Sequence, residues 1–150
     1  MSLDVWLSSR LIVEHETSKQ EISELREIIR TDLADARIEE LSPDRRLSCC
    51  YGALLTAARA ALRASGYRVP KGPSHHYYAI QSLQHTVQLD TKTLRQIESL
   101  GKKRATADYV RVGEVSESMV REAIAFAYDV CERVIQWVSA EHPTLLGDSS

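Results

Sequence analysis

An all-α fold, a single-domain antiparallel bundle of about five helices, is predicted by three features of the sequence. Apolar residues recur at three- and four-residue steps along almost the whole chain. No window keeps the period-two alternation of a half-buried strand, so no sheet is expected. Helix-start chemistry precedes the long apolar stripes, as Thr17-Ser18-Lys19-Gln20-Glu21, Ser42-Pro43 and Val115-Ser116. The 150 residues suit one domain, with the bundle over residues 1–140 and a frayed tail over residues 141–150.

A short first helix holds Val5, Trp6, Leu11 and Ile12. The overlapping capping boxes at Thr17–Glu21 then open a helix to about residue 40, with Ile22, Leu25, Ile28, Ile29, Leu33 and Ala36 as its stripe. Ser42-Pro43, an N-cap followed by a first-turn proline, opens the alanine-rich third helix. Its inward residues are Leu47, Cys50, Tyr51, Leu54, Leu55, Ala58 and Leu62, and Ser65-Gly66 ends it. Residues 67–74 are a loop containing proline and glycine. Helices from His75 to about Leu89 and from Thr91 to the region of Arg104 follow, the second with Gly101 as an expected point of interruption. Val115 and Val120 staple the start of the last helix, which carries Val120, Ile124, Ala127, Val130, Cys131, Val134, Trp137 and Val138 inward.

Composition excludes several classes. No run approaches the roughly 18 uncharged apolar residues of a membrane span. The opening Met1–Arg10 has an early acid and no basic n-region, so no secretory signal is expected. Three cysteines, with Cys49 and Cys50 adjacent, make no disulfide framework, and a cytoplasmic location is the expectation. The two neighbours lie mid-helix among apolar residues and read as small core residues. Trp6 and Trp137 read as packing residues at the bundle ends. Glycine-rich phosphate loops, paired CxxC, HExxH and GxSxG are all missing. His76 and His85, nine residues apart, fall on nearly opposite sides of one helix, so neither a metal nor a cofactor is predicted.

The net charge of −2 conceals a division. Residues 1–40 carry −5, residues 41–113 carry +8 and residues 114–150 carry −5. The division fits acidic outer helices beside a basic centre, a dimer joining opposite faces, or a basic surface for a phosphate-bearing ligand. The densest chemistry lies in Gly101-Lys102-Lys103-Arg104-Ala105-Thr106-Ala107-Asp108-Tyr109. Its cations also suit a helix C-terminus, where they complement the dipole, and Arg104 pairs with Asp108 at a four-residue step.

In order and spacing these pieces resemble a HEPN domain, a helical family of prokaryotic toxin–antitoxin, antiphage and nucleotidyltransferase-associated systems. Asp32-Leu33-Ala34-Asp35-Ala36-Arg37 before Leu41-Ser42-Pro43-Asp44 resembles its opening helix and turn. The alanine-rich Tyr51–Leu62 resembles its second helix, and Lys71-Gly72-Pro73-Ser74-His75-His76 the loop that opens its third. Arg104–Tyr109 resembles the R-x-x-A-D-Y form of its signature, and the resemblance spans residues 20–140. It implies a homodimer that binds RNA, a nucleotide or a protein partner such as a nucleotidyltransferase-type antitoxin. Catalytic members carry R-x4–6-H, whereas here Tyr109 takes the histidine's place and no histidine follows before His142. The expectation is therefore a binding module without strong catalysis. The alternative is a metal-independent endoribonuclease using Arg104, Asp108 and Tyr109. Arg104 suits a phosphate, but a tyrosine hydroxyl with a pKa near 10 is a poor base at neutral pH. His75 or His76 supplies an imidazole only if folding or dimerisation brings it beside Arg104. Lys102, Lys103 and Arg111, with Lys71 and His76, are the expected anion-binding residues.

Overall fold

The computed structural model describes residues 2–109 and 115–146, with the backbone alone for residues 104–109. Among the described residues, six α-helices run in the order α1 (Leu3–Ser8), α2 (Lys19–Ala36), α3 (Pro43–Ala64), α4 (His75–Gln81), α5 (Thr91–Tyr109) and α6 (Glu117–Glu141). The fold is all-α. Helix starts follow the side chains the sequence offers for orphan amides. Ser18 Oγ accepts from the Glu21 amide at 3.1 Å, Ser42 Oγ from the Arg45 amide at 3.2 Å, and Ser116 Oγ from the Met119 amide at 3.1 Å. Asp90 Oδ1 does the same for the Thr93 amide at 2.8 Å. Val115 and Val120 are both buried, completing the staple at the start of α6.

The core is organised around α3, which touches α2, α4, α5 and α6. Its alanines make this possible. Ala53, Ala57, Ala58, Ala60, Ala61 and Ala64 are buried around the helix, and a bare Cβ lets a neighbouring helix approach from each side. Tyr51, Leu54, Leu55 and Leu62 fill the space between, and Ile22, Ile29, Ile97, Val130, Val134 and Val138 meet them from the outer helices. The thiols of Cys50 and Cys131 are pushed up to about 12 by burial, so both are inert core residues. Trp6 is buried with its ring edge-on to His85 and Tyr78, at 5.0 and 5.8 Å between centroids.

Arg46 pins three helix ends together. Its side chain is buried, Nε donating to the Ala36 carbonyl at 2.8 Å and Nη1 to Glu117 Oε1 at 3.0 Å. The end of α2 leaves carbonyls without helical partners, and a cation on the first turn of α3 satisfies one of them.

Several expectations change. A two-residue antiparallel pair, β1 (Val13–Glu14) with β2 (Tyr67–Arg68), ties the chain after α1 to the end of α3. The His15 amide extends it by donating to Gly66 O at 2.8 Å, with Gly66 in the left-handed region at φ +98°. Two residues are too few to show an alternating pattern. The helix predicted to reach Leu89 stops at Gln81 and tightens into a 3₁₀ turn, Ser82–Gln84. Buried Ser82 donates to the Ala79 carbonyl at 2.6 Å, a side-chain bond that competes with helix continuation, and Gln88 then turns the chain at φ +64°. Conversely, α5 runs through Gly101 to Tyr109, five residues past the predicted end. Ile28 is 48% exposed, because it lies six residues after Ile22 and falls off the buried stripe. After α6, amides of His142, Leu145 and Leu146 bond back to Val138 and His142, and Leu146 is buried.

Candidate nucleic-acid interface

Gly101 decides how α5 meets α3. A Cβ at this position would lie 2.7 Å from Cε1 and 3.2 Å from Cζ of the Tyr51 ring, so the two helices approach over a missing side chain. The buried Tyr51 ring also faces His76 at the start of α4, with 6.2 Å between centroids, and His76 stands edge-on to His75 at 5.8 Å. One tyrosine thus joins α5 to the histidine pair of α4.

The helical register extends that junction into the R-x-x-A-D-Y segment. At about 100° per residue, positions 104 and 108 fall within about 60° of Gly101 around α5, on the face that meets Tyr51. Position 109 lies about 140° from position 104, well around the helix from it. Positions 104 and 108 therefore share a side of α5, with position 109 further around. The side chains of all three lie outside the described residues, as does Arg111 entirely.

The other predicted cations separate. Lys102 is exposed beside Glu98, whose carboxyl burial raises and the lysine's charge lowers, burial prevailing. Lys103 turns to the opposite side of α5, lining a cavity of about 180 Å³ with Leu47, Leu100, Met119 and Phe126 against α3 and α6. Lys71 is exposed in the loop before α4. Of the predicted anion residues that are described, His76 is in ring contact with Tyr51.

Next to that junction is a cluster the sequence reading missed. Arg59 Nη2 lies 3.1 Å from His75 Nε2, and Arg63 stands one turn further along α3. Arg63 Nη1 reaches Glu21 Oε2 at 3.5 Å, while Glu21 Oε1 meets His15 Nε2 at 2.7 Å and accepts from Thr17 Oγ1 at 2.6 Å. Burial, then the charges of Arg59 and Arg63, lower the pKa of His75, so its neutral imidazole accepts from Arg59 through Nε2. Burial alone would raise Glu21, but the Thr17 and His15 hydrogen bonds and the charges of His15 and Arg63 outweigh it and hold its pKa low. Burial, then the charge of Arg63, also lowers the pKa of Arg59, though an arginine stays charged. Buried Nε atoms of Arg59 and Arg63 have no hydrogen-bond partner among the described residues, each costing about 1–3 kcal/mol. Two arginines at a four-residue step repel one another on a helix. That was the signal available in the sequence, obscured by the surrounding alanines.

On α2 and α3, ligand atoms of Asp32, Asp35 and Cys49 lie within 4.8 Å of one another. Burial, then the charge of Asp35, raises Asp32, while burial followed by the aspartate charges raises Cys49 and keeps its thiol protonated. No helix among the described residues is long and apolar enough to cross a membrane. Chemically, the α3–α4–α5 junction offers guanidinium groups, imidazoles and an aromatic wall, a combination that suits a phosphate and a base. Comparison with family models, with curated proteins and with solved structures finds no match.

Proposed function

We propose that this chain is a HEPN-like module that binds RNA or a nucleotide at the junction of α3, α4 and α5, as a homodimer. The observation that carries the reading is the Gly101–Tyr51–His76 contact, which seats the face of α5 bearing positions 104 and 108 beside the α4 histidines. Arg104 holds phosphate, the histidines contribute polar contacts, and Lys102 and Lys71 add the long-range attraction that makes affinity salt-dependent. A nucleotidyltransferase-type antitoxin is the protein partner that the family resemblance suggests. The test is a fluorescence-anisotropy titration of short single-stranded RNA at several salt concentrations. Affinity should fall with a slope of roughly 0.7 per neutralised phosphate and weaken in Arg104→Ala. No binding at low salt, or affinity unaffected by that substitution, overturns the reading. Light scattering at micromolar concentration giving the 16.9 kDa of one chain overturns the dimer.

A second reading is favoured by the position of His76. In a metal-independent endoribonuclease, an imidazole takes the proton of a ribose 2′-hydroxyl as its oxygen attacks the adjacent phosphorus. The 5′-oxygen of the next nucleotide leaves with a proton, and a 2′,3′-cyclic phosphate remains. Arg104 is the cation for the phosphate and His76 the imidazole, with Tyr109 left as a proton donor from further around the helix. Cleavage of RNA that falls roughly 10²–10⁴-fold in Tyr109→Phe, without a stability change, would establish the catalytic reading.

A further inference from the structure

We propose that Arg59, Arg63, Arg68 and His75 form a receptor for a single phosphate monoester, the terminal phosphate of the RNA or nucleotide bound at the neighbouring junction. The identity of the larger ligand rests on the nucleic-acid reading above; the phosphate receptor does not.

These four side chains line one small cavity, floored by Leu62 and Val69, between the end of α3, β2 and the start of α4. Three of its lining residues are arginines. The nearest carboxylate in the network, Glu21, is held by His15 and Thr17 and reaches the group only through Arg63. Three cations against one carboxylate leave an excess that a doubly charged phosphate matches, whereas a phosphodiester carries a single charge. Arg59 and Arg63 each bring a buried Nε–H with no acceptor among the described residues, and phosphate oxygens are strong acceptors for such forks. With Nε2 of His75 accepting from Arg59, the ring's proton sits on Nδ1 as a further donor.

The cavity's volume is about 10 Å³, room for one water-sized atom. Arg68, exposed at its rim, is the wall that can move. One phosphate oxygen seats inside and the others stay at the mouth. Rotation of Arg68 over them closes the site.

The test begins with inorganic phosphate, titrated against the full chain by amide NMR at constant ionic strength held with chloride. Saturable shifts confined to residues near 59–75 are expected. Arg59→Gln should weaken binding by roughly tenfold or more, the loss expected for one charge-assisted hydrogen bond. Arg68→Ala, at an exposed position, should weaken it by several-fold and decides the matter if Arg59→Gln does not fold. Shifts that do not saturate, that chloride reproduces, or that both variants leave unchanged overturn the receptor. A second arm compares oligouridine bearing a 5′-phosphate with the same strand bearing a 5′-hydroxyl. Tighter binding of the phosphorylated strand, lost in Arg68→Ala, supports the assignment to a terminal phosphate. RNA binding indifferent to the phosphate overturns that assignment. Phosphate binding without any RNA binding overturns the nucleic-acid reading and leaves the receptor standing.

Discussion

Gly101 and Gly52 are both mid-helix glycines, yet their surroundings assign them opposite behaviour. Replacing glycine by alanine in a helix gains about 1 kcal/mol from propensity alone. At Gly101 the new methyl would meet the Tyr51 ring at 2.7 Å, a ring buried on the other side by the core. Overpacking of that kind costs about 1–3 kcal/mol, so Gly101→Ala should be destabilising or neutral and should also shift α5 at the junction. At Gly52 the nearest atom is Asp32 Oδ2 at 2.9 Å, the end of a partly buried side chain that can rotate away. Gly52→Ala should therefore be neutral or stabilising. Urea midpoints of the two variants check the contrast, and equal gains at both positions would remove the close approach of α5 to Tyr51. The same scale sets the response to acid. His75 has a pKa lowered from 6.5 and Glu21 one lowered from 4.5, so at each the unfolded chain binds the proton more readily than the folded one. Stability should fall as the pH drops below about 6.5 through His75, and fall again below about 4.5 through Glu21. Unfolding by urea between pH 7 and 4 tests this. His75→Gln, whose amide oxygen still accepts from Arg59, should flatten the upper decline, and Glu21→Gln the lower one.

Among the helices, the legible parts were those whose signals are local. Ser42-Pro43 and Val115-Ser116 announced their helices because capping side chains act within four residues of their own position. The end of α4 was not legible, because it depends on Ser82 being buried and bonded to Ala79, and burial is a tertiary property. The β1–β2 pair depends on residues more than fifty positions apart meeting over two positions. The site shows the same division. The α5 cations and His76 stood out as motifs, whereas Arg59 and Arg63 sit in a helix that reads as core and gain meaning only from His75 folding back onto them. Arg46 likewise gains its role only from the fold. It is 5% exposed and joins the end of α2 to the first turns of α3 and α6, while its partner Glu117 has a side chain 57% exposed. Arg46→Ala leaves the Ala36 carbonyl without its donor and opens a void, and should cost about 2–4 kcal/mol. Glu117→Gln, removing an exposed charge, should cost less than about 1 kcal/mol. Equal effects in thermal unfolding would mean that Arg46 acts through the ion pair and not through the buried carbonyl.

At the scale of the molecule, the division of charge along the sequence is a division among helices. The basic central segment supplies α3, α4 and α5, whose junction gathers arginine, histidine and tyrosine. The acidic first and last segments supply α2 and α6, which pack on α3, and α2 sends Glu21 to Arg63 beside that junction. Acidic flanking segments limit nonspecific attraction of an anion elsewhere on the chain. The most direct test of this arrangement is amide shift mapping of the protein with short single-stranded RNA at low salt. The predicted result is a contiguous set of perturbations at Tyr51, His75, His76 and residues 101–104, fading as salt is raised. Perturbations gathered instead on the α2–α6 face around Ile28 and Tyr128, or none at any salt concentration, would contradict it.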